Sequence, residues 1–295
     1  MSEKRFLCVG EHEIYCCGAR VRIKDGKVEV LSKPRIVYCP LHEALYGTKT
    51  IDENAVKKSV EMKIASFGFC CENRVFRDDM VVPYGSSEII RVCMERKAVD
   101  CAVTVCEGAG TVITANPRLV QAIGARLTGI IRTSPIKGII EHVKAERGII
   151  LDEKKAEINQ AKGVEKAANL GYKRIAVTVA SFLSEEMKEI REIEKEKDVK
   201  VAIFSICNTC ATEKDVNRIL AYADIVCASA SRLIREKVGP KALMQLGVTI
   251  PVFALTNFGK DLMLTYLANF NEKLVVFRTR KLPYLVKGKG PKIEG

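Results

Sequence analysis

The chain has no tryptophan and only three histidines, His12, His42 and His142, which disfavours imidazole-based metal catalysis against thiolate ligation. It also lacks any uninterrupted apolar run of about 18 residues, the length a bilayer-spanning helix requires. The opening Met1-Ser2-Glu3-Lys4-Arg5 leads into only a few apolar residues before Gly10 and Glu11, unlike a secretory signal. These absences predict a soluble, cytoplasmic protein with no membrane partner. No complete Gly-x-Gly-x-x-Gly and no Gly-Lys-Ser/Thr occurs, and no nucleic-acid-binding signature was found.

What the chain has in excess is cysteine, 12 in 295 residues. In a reducing cytosol such thiols act as ligands, nucleophiles or small core residues rather than as a disulfide framework. Abundant Lys and Glu, as in Glu185–Lys197, fit a heat-adapted source, for which disulfides remain open. The net charge of +12 is spread along the chain and interleaved with Glu. Only the end is concentrated, with Arg278, Arg280, Lys281, Lys287, Lys289 and Lys292, and it reads as a solvated tail or as a dock for an acidic partner.

Three stretches follow from the pattern. Residues 1–50 form a β-rich N-terminal segment, with Lys24-Asp25-Gly26-Lys27 as a hairpin turn. Cys8, Cys16 and Cys17 lie in it, and period-2 alternation sends Cys16 and Cys17 to opposite faces, as strand packing would. Residues 51–280 form an α/β domain, and residues 281–295 the basic tail. Asp52 caps a helix carrying Val56, Val60 and Ile64, and Ser86 or Ser87 caps another whose Cys93 is core. From Val99 onward strands and helices alternate: 101–106, 127–131, 174–179, 201–206, 224–227, 249–255 and 274–277 as strands, with a possible hairpin at 148–151 and 156–158. Asn116-Pro117, Ser134-Pro135 and Thr212 mark helix starts, and Gly171 a helix end. The expected fold is therefore α/β with a mostly parallel, doubly wound sheet beside a small β-rich N-terminal segment.

In such a sheet the ligand crevice lies beyond the carboxyl ends of the strands. Cys106, Cys207, Cys210 and Cys227 end three different strands there, whereas Cys101 begins one and points to the opposite rim. Cys207-Asn208-Thr209-Cys210 at a strand-to-helix corner suggests a thiolate pair, stabilised by backbone N–H groups and the helix dipole. On its own this motif fits thioredoxin-like exchange. Loops carrying Cys39, in Cys39-Pro40-Leu41-His42, and Cys70-Cys71 could complete a larger set. The expected metal ligands are Cys39, Cys70, Cys106, Cys207 and Cys210. Thiolate-rich ligation favours an iron–sulfur cluster, with zinc or no metal as alternatives. Glu107 is a candidate proton carrier, although an exposed loop carboxylate is the plainer reading. Gly108, Gly110 and Thr111 are candidates for a nucleotide or small anionic substrate, or for a turn that lets a cofactor approach the backbone. His142 reads as structural.

Tyr38-Cys39-Pro40-Leu41, Phe67-Gly68-Phe69-Cys70, Val105–Thr111, Gly171–Val179 and Ile206–Cys210 together resemble the methanogenesis marker protein 8 family, over about residues 20 to 260. The resemblance implies an archaeal protein concerned with making, activating or repairing methyl-coenzyme M reductase, or with an associated low-potential electron path. It supplies no catalytic residues. Cys39, Cys70, Cys106, Cys207 and Cys210 match its cysteine motifs, and Cys16, Cys17, Cys71, Cys93 and Cys227 find no place in it. Three readings stay open: the cluster-binding accessory protein, an α/β enzyme using the Glu107–Thr111 loop, and a scaffold docked through the basic tail.

Overall fold

Strand residues 175, 177 and 179 point to one helical layer and residue 176 to the other, as do 201 and 203 against 202 and 204. That alternation, with apolar residues on both sides, forces a sheet covered by helices on both faces. The computed structural model describes residues 6–124, 129–286, 288 and 290–293.

The chain begins with a three-stranded meander, β1 (Glu11–Cys16), β2 (Ala19–Lys24) and β3 (Lys27–Val30), followed by β4 (Ile36–Tyr38), α1 (Pro40–Tyr46) and α2 (Glu53–Phe67). Next come α3 (Ser86–Glu95), the antiparallel pair β5 (Cys101–Cys106) and β6 (Gly110–Thr114), α4 (Pro117–Gly124), β7 (Gly129–Thr133), α5 (Lys137–Ala145) and β8 (Ile149–Ile150). The regular alternation follows: α6 (Gln160–Asn169), β9 (Arg174–Ala180), α7 (Glu186–Glu196), β10 (Lys200–Ile206), α8 (Glu213–Tyr222) and β11 (Ile225–Cys227). β12 (Met244–Leu246), β13 (Val252–Ala254), α9 (Asn257–Leu267) and β14 (Lys292–Ile293) close the chain.

The large sheet runs β12-β13-β11-β10-β9-β5-β6-β8. Its heart, β11-β10-β9-β5, is parallel, and the flanking strands are antiparallel. Helices α6, α7 and α8 cover one face through Val164, Ile190 and Ile219; α3, α4 and α9 cover the other through Ile90, Val120 and Met263. The fold is thus α/β and doubly wound, with a β-rich N-terminal segment beside it.

That segment is a second sheet, β3-β2-β1-β7. The expected strand 127–131 begins outside the described residues, at Leu127 and Thr128. Its described part, β7, leaves the parallel sheet and pairs antiparallel with β1 across a bulge at Glu13 and Ile14. Residues from the middle of the chain therefore complete the N-terminal sheet, whose core also holds Phe69, Cys70, Cys106, Ala109, Ile136 and Ile139. Two other expectations differ. Only Ile149 and Ile150 of the suggested hairpin are strand, paired with β6, and residues 274–277 lie extended without strand pairing among the described residues. Lys287 and Lys289 of the basic tail fall outside the described residues.

Candidate functional site

Helix α2 carries the residue at the centre. Asp52 caps it by accepting from the Ala55 N–H, and the stripe Val56, Ser59, Val60, Lys63 at helical spacing turns inward. Lys63 is 5% exposed, an unusual depth for an ammonium. Its charge acts on Cys16, Cys17, Cys70, Cys207 and His42, which come from four other segments of the chain.

Cys16 ends β1, and Cys17 adopts a left-handed backbone, φ 52°, to enter the hairpin turn. That turn abolishes the strand alternation expected to separate the two thiols, and they interact directly. Cys17, Lys63 and the Ser59 hydroxyl, 3.5 Å from Cys16 Sγ, hold the Cys16 thiol below its ordinary range; the same contact, with burial, drives Cys17 up. Cys39 caps the start of α1 with extended backbone and lies close enough to oppose ionisation of Cys17. His42, three residues on, is buried, and neither ring nitrogen finds a partner among the described residues. Burial lowers its pKa, and Lys63 adds to this.

Cys70 and Cys106 form a second group. Cys70 also has a left-handed backbone, φ 61°, just after the Gly68 cap of α2. Both thiols are fully buried, and burial first, then the Glu107 carboxylate, raises them well above the ordinary range. Glu107 is no exposed loop carboxylate. It is 1% exposed and ion-paired with Arg74, whose Nη2 donates to the Ala122 carbonyl at 3.2 Å and whose guanidinium lies 3.9 Å from the Phe76 ring centre. Phe76 in turn stacks on His142, 4.0 Å between centres, which gives that histidine a structural place.

The glycine loop is a tight hairpin between β5 and β6, so a strand, not a helix N-terminus, follows it. Gly108 N–H donates to Thr133 Oγ1 at 2.7 Å, and Thr111 N–H to the Glu157 carbonyl at 2.9 Å. Thr111 Oγ1 donates to Gln160 Oε1 at 2.8 Å and accepts from the Asn159 N–H at 2.9 Å. Gly110, at φ +72°, has the Ala156 carbonyl oxygen 2.3 Å from where a Cβ would stand. The donors that would cradle a phosphate are consumed by the protein, and the glycines are required by packing. Gly108, Gly110 and Thr111 are correspondingly a structural corner rather than an open cradle.

Cys207, Cys210 and Cys227 make the third group, at the ends of β10 and β11. Cys207 is left-handed too, φ 52°, and the next three residues form a short 3-10 turn. The Asn208 side chain stitches this corner, donating to the Ser205 and Cys227 carbonyls at 3.2 and 2.7 Å. Cys210 Sγ reaches the Gly18 carbonyl at 3.6 Å, docking the corner onto the β1–β2 turn. The expected low-pKa dithiol is not found here. Burial pushes Cys207 up to about 12 and also raises Cys210 and Cys227, and the α8 N-terminus is closed by a capping box of Thr212 and Asp215. Close by, Arg235 donates to the Ser229, Ala230 and Ser231 carbonyls while facing Cys227 and Cys39.

The five expected ligands fall into three separate groups, Cys39 beside Cys17, Cys70 with Cys106, and Cys207 with Cys210. Cys16 joins the first of these and Cys227 the third. Among the described residues, no group of three or more His, Cys, Asp or Glu side chains is placed so that it could hold a metal ion. Cys71 is drawn off into a disulfide with Cys8, and Cys93 and Cys101 are core. The cations were missed from sequence, although Lys63 carries a readable signal, a lysine on the apolar stripe of an amphipathic helix. Arg74 and Arg235 carry none.

A doubly wound α/β protein with cysteines at the carboxyl ends of its strands is the class these features define. The chain matches, over residues 12–268, the family described as an uncharacterized protein conserved in archaea (DUF2099), and it belongs to that family. The uncharacterized protein MJ0054 of Methanocaldococcus jannaschii is 41% identical over 258 residues, which cover 87% of this chain and 90% of the relative. Among the described residues no helix is long and apolar enough to cross a membrane.

Proposed function

We propose that the protein is a cytoplasmic iron–sulfur-binding accessory protein that assists maturation or reductive activation of methyl-coenzyme M reductase. Cys39, Cys70, Cys106, Cys207 and Cys210 are its ligand candidates. The observation that carries this reading is the convergence of thiols from separate chain segments around the buried Lys63 ammonium. A thiolate-ligated cluster is negative overall, and a cluster supplies one-electron transfer at low potential. Lys63 and Arg235 offset that negative charge, and metal binding displaces the protons that burial otherwise keeps on Cys70, Cys106 and Cys207. Among the described residues, three of the nine non-glycine residues with positive φ, Cys17, Cys70 and Cys207, are cysteines of these groups. The part played towards methyl-coenzyme M reductase follows from the resemblance to methanogenesis marker protein 8.

Anaerobic purification and reconstitution with iron and sulfide test this. The expected product is a brown protein with stoichiometric iron and acid-labile sulfide and a paramagnetic signal on reduction, weakened in Cys70→Ser and Cys207→Ser. A colourless, iron-free protein after reconstitution would sink the cluster, and zinc in the same preparation would point to a structural metal. Loaded protein that leaves inactive methyl-coenzyme M reductase inactive, with reductant present, would remove the second half of the proposal.

A further inference from the structure

Cys8 and Cys71 stand outside the cluster reading, yet their disulfide ties down the residue next to Cys70. Residues 6–8 form a short arm laid along the loop that follows α2. The Phe6 ring packs over Gly68 and leaves no room for a side chain there. The Leu7 carbonyl accepts from the Glu72 N–H at 2.7 Å, and the Leu7 N–H donates to Asn73 Oδ1 at 3.1 Å. Cys8 and Cys71 face each other in an isolated antiparallel bridge. These contacts fall on both sides of Cys70, which is fully buried. Just beyond the arm the chain is anchored elsewhere: the Val9 carbonyl accepts from His12 Nε2 at 2.9 Å, and the Gly10 N–H donates to Asp25 Oδ1 at 3.0 Å. The arm can therefore leave the loop without disturbing β1. Without the disulfide it keeps the Phe6 contact and the two Leu7 hydrogen bonds, few enough for local opening.

We propose that the Cys8–Cys71 disulfide is a redox latch on the loop carrying Cys70. Oxidised, it straps residues 6–8 onto the loop; reduced by a dithiol, it lets the arm open and admits reagents from solvent to Cys70. Its purpose rests on the reading of Cys70 as a cluster ligand: iron and sulfide would enter only where thiols are kept reduced. Cys8 is the sulfur open to attack, being half-buried where Cys71 is fully buried. A thiolate of the dithiol attacks Cys8 Sγ, the Cys8–Cys71 bond breaks, and Cys71 leaves as a thiolate that takes a proton from solvent. The second thiol of the reductant loses its proton and attacks the reductant sulfur of the mixed disulfide, which frees Cys8. One dithiol is oxidised to a disulfide and one protein disulfide is reduced, so two electrons pass. The freed Cys71 thiol has the Phe69 carbonyl 3.4 Å away as acceptor, so it stays in the loop while Cys8 departs with the arm.

The test is the rate at which iodoacetamide alkylates Cys70 in the folded full chain, before and after anaerobic reduction with dithiothreitol, read by fragment mass spectrometry that separates Cys70 from Cys71. Reduction is expected to speed Cys70 roughly tenfold or more. Cys93 and Cys101, buried in the other two core clusters, should keep their slow rates. Cys8→Ser is expected to show the fast Cys70 rate without reductant and no further response to it. Phe6→Ala, which retains the disulfide, is expected to stay slow until reduced. A Cys70 rate that reduction leaves unchanged overturns the inference, as does a rise shared by Cys93 and Cys101, which would mean general loosening of the fold. Labelling needs no iron, so a chain that labels as expected but never takes up a cluster keeps the latch and loses only the ligand reading.

Discussion

Arg74 and Glu107 show how far a residue's role depends on what the fold puts beside it. In the sequence Glu107 is a carboxylate in a glycine loop next to a cysteine, and nothing local announces that Arg74, 33 positions earlier, will bury its guanidinium against it. Once both are out of water, each charge is tolerable only with the other. Arg74→Met is therefore expected to destabilise the protein by about 3–5 kcal/mol, while Arg74→Met with Glu107→Leu should recover much of that loss. Urea unfolding of the single and double variants checks this, and an additive double variant would refute the pairing. Gly110 is a second residue whose identity is dictated by geometry. A Cβ there would meet both a left-handed φ and a carbonyl oxygen at 2.3 Å. Gly110→Ala should lower stability by about 1–3 kcal/mol or prevent folding, measured as a drop in melting temperature, because strain and overlap add.

Elements were more legible than their pairing. The period-3.6 and period-2 patterns located α2, α3, α8, β5, β9, β10 and β11, because those segments bury one face or both and the burial writes itself into the residue order. The destination of β7 was not legible, since its apolar residues suit either sheet and only the tertiary contact with β1 decides. Residues 274–277 have strand composition yet no strand partner among the described residues, so propensity alone could not fix them. Two caps went unmarked: α6 begins after Asn159, whose Oδ1 accepts from the Lys162 N–H at 2.8 Å, and α9 after Thr256. Burial explains why the Cys207–Cys210 corner is not a thiolate pair, and the α8 capping box offers it no ionising contact. Its donors serve Thr212 and Asp215 instead. Thr212→Ala should cost about 1 kcal/mol. It should also leave the alkylation rate of Cys207 unchanged, since burial sets that thiol; a marked change would restore a role for the helix terminus.

At the scale of the whole molecule the cysteines act through linkage. The Cys8–Cys71 disulfide joins residues 63 apart and anchors the first described strand segment to the loop after α2. Cys8→Ser is expected to lower stability by about 4 kcal/mol on the loop-closure estimate, checked by unfolding under non-reducing conditions. The buried free thiols add a dependence on pH. Burial pushes Cys93 and Cys101, both fully buried, from the ordinary value of 9.0 to about 12. Below the ordinary value both thiols are protonated whether the chain is folded or not, and pH has no leverage through them. Above it the unfolded chain releases these protons while the folded chain keeps them, so the unfolded state binds fewer protons and stability falls as pH rises. Each thiol removes up to about 1.4 kcal/mol per pH unit across the window from 9 to 12. Cys16, held low, works in the opposite sense and loses its contribution as pH falls, so it cannot produce the alkaline decline. Unfolding free energy should therefore stay nearly flat to about pH 8.5 and drop beyond it, and Cys93→Ala with Cys101→Ala should make the drop shallower, with Cys70, Cys106 and Cys207 supplying the rest, while lowering the plateau. An alkaline slope identical in that double variant would show that other groups, and not these core thiols, set the upper pH limit of the fold.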